Sequence, residues 1–230
     1  MFVTPSGKEV EIRKMKLSDE DVILDPILAR NDETMDVLIE RVTGLTKQEV
    51  EGLLLGDRVA ILVELRRRSR GDLYYPMAVC PNCKDRWEEE IDLSTLETLK
   101  LNPDLVDKDF RFPLVLPVSR AELVVKLLRG TDEKELNRIR KKQKDRIMSY
   151  LMMVRTVSIV IAGEKKPKDI NWFRDLDVDD TDFFRDEYDL RDCGVKTDLE
   201  RQCPSCSHVF DFQVPFGANF FLQTRKTRKA

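Results

Sequence analysis

Apolar residues in the first third of the chain recur at two different periods. Val10 and Ile12 alternate with charged neighbours beyond a Pro5-Ser6-Gly7 turn, so residues 1–17 read as a short hairpin. Ser18 then reads as an N-cap with Asp21 as the acidic third residue, and Pro26 argues against one long helix. Met35, Leu38, Ile39 and Val42 fall on one face, which predicts a helix over 32–42. Thr46 with Glu49 makes a capping box for a further helix, which Gly56 would end. From Asp57 to Gly71 an acid stands at the start and bases at the end, as the helix dipole favours. Residues 59–63 are apolar all round, so this helix is expected at the centre. Arg66, Arg67, Arg68 and Arg70 read as a solvated helix end or as a strip for an anionic partner.

Further on, Phe110 to Pro117 reads as an extended edge segment because of its two prolines. A helix is predicted from Ser119 to Arg129, with Gly130 after it. Asp132 to about Ala162 reads as one long helix. Its heptad-like seam is Leu136, Ile139, Gln143, Ile147, Tyr150, Val154, Val157 and Ile161. Its first half is basic (Arg138, Arg140, Lys141, Lys142, Lys144, Arg146), which suits a solvated face or a partner seam better than a nucleic-acid surface. Glu164-Lys165-Lys166-Pro167 is a predicted turn, residues 169–176 carry Trp172 and Phe173, and Asp179 opens an acidic helix through Phe183, Phe184 and Tyr188. Those acids lack the spacing of a calcium loop and suit a first helical turn. At the end, Phe216, Phe220 and Phe221 join a basic tail with Arg225 and Lys226. This is either a partner-docking element or core packing followed by a frayed tail.

Composition narrows the class. At 230 residues the chain can bury a real core. No apolar run approaches the roughly 20 residues that span a bilayer, and Met1 to Pro5 lacks the features of a signal peptide. Charged residues make up 36%, but 40 bases nearly cancel 43 acids, which argues against a protein that coats DNA. A single histidine, His208, removes most histidine-based catalysis. P-loop, Rossmann and nucleophile-elbow patterns are absent, so a non-enzyme is expected.

Two short motifs carry specific chemistry. Cys80-Pro81-Asn82-Cys83 and Cys203-Pro204-Ser205-Cys206 are both C-P-x-C. Two residues between cysteines let one tight turn aim both sulfurs at a single ion. Two such knuckles complete the tetrahedron that Zn²⁺ prefers and leave no place for water, which makes the site structural. Extended stretches flank each knuckle, and Val209 to Val214 alternates cleanly. The pattern is an internal repeat of one β-hairpin, and the two hairpins would meet as a zinc ribbon split by residues 84–202. A thiol redox motif would need a strand-to-helix junction, and disulfides would need an oxidising compartment. Lys84, Arg86 and Arg201 lie close enough in sequence to offset the charge of four thiolates, His208 reads as an alternative ligand or a strand residue, and Cys193 as a free thiol in a turn.

The fold expected is α+β. It has a hairpin and helical region over 1–72, a split four-cysteine ribbon over 73–93 plus 196–216, a mostly helical insertion over 94–195 and an aromatic, basic tail over 217–230. The order of features is specific: Gly56-Asp57-Arg58 opening an apolar helix, Tyr75 ahead of the first knuckle, Ile91-Asp92-Leu93, Gly194-Val195 ahead of the second knuckle, then Val214-Pro215-Phe216 and Phe220-Phe221. This layout resembles the T-even-type baseplate hub assembly chaperone family of contractile-tailed phages and prophages, in its zinc-ribbon-bearing form, over nearly the full chain. The resemblance implies a non-enzymatic assembly factor whose partners are baseplate hub, tail-tube or tape-measure proteins, acting in the host cytoplasm with virion association as an open alternative. A permanent baseplate subunit and a zinc-ribbon nucleic-acid binder are the other readings. The family brings no catalytic residues; only Cys80, Cys83, Cys203 and Cys206 carry over, as ligands of one structural Zn²⁺.

Overall fold

The computed structural model describes residues 1–143, 157–160 and 170–222. Its N-terminal hairpin pairs β1 (Phe2–Val3) with β2 (Glu9–Val10), and Val10 and Ile12 point into the core. Helix α1 (Leu17–Leu24) starts at Lys16 rather than Ser18. The Asp19 carboxylate decides this: it accepts the Lys16 N–H at 2.7 Å and pairs with Arg13 at 2.7 Å. Pro26 opens the short α2 (Pro26–Asn31), so the segment is two short helices and not one long one, as the proline predicts. Helix α3 (Thr34–Thr43) buries Leu38, Ile39 and Val42, as its periodicity predicts. The Thr46–Glu49 box caps α4 (Lys47–Gly52).

Helix α5 (Leu55–Arg70) is the central element, and it starts one residue before Gly56. Gly56 therefore ends nothing. It is the point where α5 touches the chain at 193–194: a Cβ there would stand 1.7 Å from the Cys193 carbonyl oxygen. Asp57, in the next position, accepts the backbone N–H of Ser6 at 2.9 Å and its hydroxyl at 2.5 Å, which ties the hairpin turn to α5. Arg58 is buried between Asp36 (2.5 Å) and Glu133 (3.2 Å), while Lys134 reaches Asp36 (2.5 Å) and Glu51 (2.8 Å). Four helices thus meet through one ionic cluster, buried at Arg58 and Asp36 and open to solvent at its rim.

After α5 come β3 (Leu73–Tyr74), β4 (Met77–Val79), β5 (Arg86–Glu88) and β6 (Ile91–Asp92), with β3 pairing β6 and β4 pairing β5 around the first knuckle. A short β7 (Thr98–Leu99) follows. The expected helix over 119–129 is instead a strand. β8 (Arg111–Val115) pairs with β9 (Glu122–Lys126), setting Phe112 opposite Val125 and Leu114 opposite Leu123. Alternate residues Leu123 and Val125 are buried, a period of two that a helix cannot produce. Ser119 is no N-cap; the Asp180 carboxylate accepts the N–H groups of Val118 (2.7 Å) and Ser119 (2.9 Å) in the β8–β9 turn.

Gly130 opens α6 (Gly130–Gln143) rather than closing the segment before it. The single long helix to Ala162 is also corrected. Val157–Val160 is a strand, β10, paired antiparallel with β9 to complete a three-stranded sheet. Val157, Ile159 and Val160 are β-branched and suit that edge. The seam positions Ile147, Tyr150, Val154 and Ile161, and the turn at Glu164–Pro167, lie outside the described residues. Helices α7 (Ile170–Arg174) and α8 (Val178–Asp189) follow, then β11 (Gly194–Val195) against β7, the second knuckle hairpin of β12 (Asp198–Gln202) and β13 (Val209–Gln213), and α9 (Ala218–Leu222).

Two apolar clusters result. One joins the N-terminal helices, both knuckle hairpins and α9; the other joins the three-stranded sheet to α7, α8 and Cys193, with Leu54 reaching in from the start of α5. The α+β architecture with a helical N-terminal part and a split ribbon holds, and the insertion contains a sheet as well as helices. No helix among the described residues is long and apolar enough to cross a membrane.

Candidate metal centre

Each knuckle is built by the same local bonds. The Cys80 N–H donates to the Asp85 carbonyl at 2.9 Å and the Lys84 N–H to the Cys80 carbonyl at 3.1 Å. In the second knuckle the Cys203 N–H donates to His208 at 2.9 Å and the Ser207 N–H to Cys203 at 2.9 Å. The residue after each second cysteine adopts a left-handed backbone, with φ 64° at Lys84 and 57° at Ser207. In both knuckles the first cysteine is buried and the second exposed.

The two turns face each other across a gap of 120 sequence positions, with Cys83 Sγ 3.6 Å from Cys203 Sγ and Cys80 Sγ 3.7 Å from Cys206 Sγ. All four sulfurs lie within 4.8 Å of one another. A tetrahedral ion with metal–sulfur bonds of about 2.3 Å separates its ligands by about 3.8 Å, so the cluster has the size of one metal site. The set could hold a metal ion, and four thiols alone favour a soft, tetrahedral one.

The surrounding groups treat the thiols unequally. Cys206 is drawn down to about 6, first by the His208 backbone N–H and then by donation from Cys83, Asn82 and Cys203. For Cys83 the Asp85 backbone N–H also favours the thiolate, but burial and the neighbouring thiols outweigh it and push the group up to about 12. Crowding thus spreads the thiol titrations apart. The charge offset expected from Arg201 is not made: it pairs with Glu89 at 2.6 Å, and Lys84 Nζ donates to the Pro81 carbonyl at 2.7 Å. His208 stands just before β13, stacked on Phe210, and is not among the clustered ligands.

Sequence reasoning passed over the residues that lock the knuckles together. Asn82 Nδ2 reaches Cys206 Sγ at 3.7 Å, and the Ser205 hydroxyl donates to the Asp85 carboxylate. Asn82 and Ser205 are the variable positions of the two C-P-x-C motifs, and each crosses to the opposite knuckle. Their shared polarity was the available signal. Behind them Trp87 meets Phe210 edge-on at 6.0 Å, which packs the two hairpins together.

A family model described as T4 bacteriophage base plate protein matches residues 1–223. The chain belongs to that family. No curated protein and no solved structure matches it. The match takes in the whole ribbon, the insertion and α9 of this baseplate protein, so its partners are phage structural proteins.

The remaining candidates separate by burial. Phe220 and Phe221 are fully buried: Phe220 meets Tyr74 edge-on at 5.0 Å, and α9 packs into the core of the N-terminal helices. They are core, which corrects their reading as a partner surface. Phe216 is half-buried against Phe220. Arg225 and Lys226 lie outside the described residues. Arg66, Arg67, Arg68 and Arg70, at the end of α5, all bind within the protein. Arg66 donates to Gly71 and Leu73 carbonyls, Arg67 pairs with Asp72, Arg68 with Glu64, and Arg70 with Glu20 and the Phe221 carbonyl. Arg66 and Arg67 hold the segment that follows α5, while Arg68 and Arg70 tie Ile12, Glu20 and Phe221 to the helix, so the four are engaged within the protein. Cys193 is buried beside Asp57 and Asp192; burial first, then those carboxylates, push its thiol up to about 12, away from the reactive thiolate form.

Proposed function

We propose that this baseplate protein is a non-enzymatic assembly factor, a chaperone or scaffold acting while the baseplate hub is built, and that Cys80, Cys83, Cys203 and Cys206 hold one structural Zn²⁺. The observation that carries the reading is the family match over residues 1–223, which spans ribbon and insertion together. The donor set supports the metal: four thiolates satisfy zinc completely and leave no open position for a reacting group. When bound, the ion would clasp segments 120 positions apart, and structural zinc contributes on the order of 10 kcal/mol to folding. Asn82 and the backbone N–H groups at Asp85 and His208 would offset the thiolate charge.

The test is to quantify the chain in hub precursors and in purified mature particles by mass spectrometry. The assembly reading expects fixed stoichiometry with hub or tape-measure proteins in precursors and loss from mature particles. Retention at fixed copy number would make it a permanent subunit. Zinc content is read separately, by native mass before and after a strong chelator.

A further inference from the structure

A groove of about 540 Å³ lies where the N-terminal hairpin, α5 and the segment around β7 come together. Ala60 and Val63 of α5 form its apolar floor. One wall contains β1 and the other carries Thr98 and Lys100, at either side of Leu99 in and after β7. The walls are joined by the Leu101 N–H, which donates to the Pro5 carbonyl at 3.0 Å. Among the described residues β1 pairs only with β2, and β7 only with β11. Each wall therefore keeps a strand edge without a partner, and Val3 on β1 is 59% exposed.

Two-residue strands in two-stranded ribbons are marginal by themselves, and open edges are the usual template for an incoming strand. The charge of the groove selects what enters. Glu64 is shared between Arg67 and Arg68, while Lys100 has no ion pair among the described residues. The groove thus presents an unbalanced positive charge beside an apolar floor.

We propose that this groove takes an extended segment of another baseplate protein, added as a strand between β1 and β7, with an apolar side chain over Ala60 and Val63 and a carboxylate opposite Lys100. Main-chain bonds would supply affinity, and the floor and Lys100 would supply specificity. The proposal rests on membership of the baseplate family and not on the assembly-factor reading, since a permanent subunit would use the same groove.

The test places a photoreactive benzoylphenylalanine at Val3, with Val118 on the insertion as control, in cells producing the particle. The cross-linked peptide is identified, synthesised and titrated into the purified chain. The expected result is one acid-containing segment of one baseplate protein, bound at least tenfold more weakly by Lys100→Glu and rescued when the peptide's acid is changed to Lys. Lys100 is exposed, so the variant should melt like the parent, which separates lost binding from lost folding. Cross-links to a second copy, to residues 223–230 of the same chain, or to nothing above the Val118 control would overturn the proposal. So would binding that is indifferent to Lys100→Glu. None of these outcomes bears on whether the chain leaves the mature particle.

Discussion

Asp192 stands two residues before Gly194, and burial first, then the neighbouring charges of Asp189 and Asp57, push its carboxyl up to about 6, against the Cys193 N–H that favours its charged form. A folded value above the unfolded one near 4 means that this group supports folding fully below about pH 4, and the support is lost as pH rises through 6. Asp192→Asn, which keeps the acceptor for Cys193, should therefore stabilise the protein at pH 8 by about 2 kcal/mol after allowance for screening, and by nothing at pH 4. Thermal melts at the two pH values check this. Asp180 has the opposite sign. Burial raises it, but Ser119 and the two backbone N–H groups outweigh burial and hold it low. Its contribution is present at neutral pH and lost as pH falls through its folded value. Gly56 gives a second residue-scale expectation. Gly56→Ala drives a Cβ into the Cys193 carbonyl and should cost about 3 kcal/mol or more. Gly52→Ala, with open space around it, should be neutral or stabilising by a few tenths up to about 1 kcal/mol. Urea titration of both distinguishes a packing requirement from a helix-propensity effect.

At the scale of elements, the knuckles are the most local structures in the molecule and the best read from sequence. Their turns close within six residues, so the spacing of cysteines, proline and polar neighbours suffices to define them. They also carry a local strain. Left-handed backbone at a residue with a Cβ costs about 1 kcal/mol or more, and both Lys84 and Ser207 adopt it. Lys84→Gly and Ser207→Gly should each raise stability by up to about 1 kcal/mol without altering metal stoichiometry, and equal gains would follow from the two turns being copies of one design. Melting with metal bound would show it. The apolar runs of the insertion were read less well. Glu122 to Lys126 and Val157 to Val160 each fit a helix face as well as a strand when taken alone. Pairing with β8, the neighbouring hairpin strand, and with each other removed the ambiguity, and only the β9–β10 pairing joins segments remote in sequence.

At the scale of the whole molecule, the four-cysteine cluster brings the two distant hairpins together. Cys80→Ser and Cys203→Ser should destabilise equally, because each removes one ligand from the same ion, and a strong chelator should lower the parent to the level of both. Unequal losses in chelator-free melts would separate the two knuckles and sink the shared site. The sequence by itself determined the two cysteine knuckles, the capping box at Thr46, the buried face of α3 and the central place of α5, because each depends on residues within a turn or two of one another. Tertiary structure alone decided the strands β9 and β10, the internal use of the α5 arginines and the burial of Phe220 and Phe221. An arginine or a phenylalanine has the same chemistry on a surface as in a core; what differs is whether a distant carbonyl, carboxylate or ring is waiting for it. Here Phe221 offers its carbonyl to Arg70, Ile12 offers its own to Arg68, and Tyr74 receives Phe220, contacts that exist only once the chain has closed around α5.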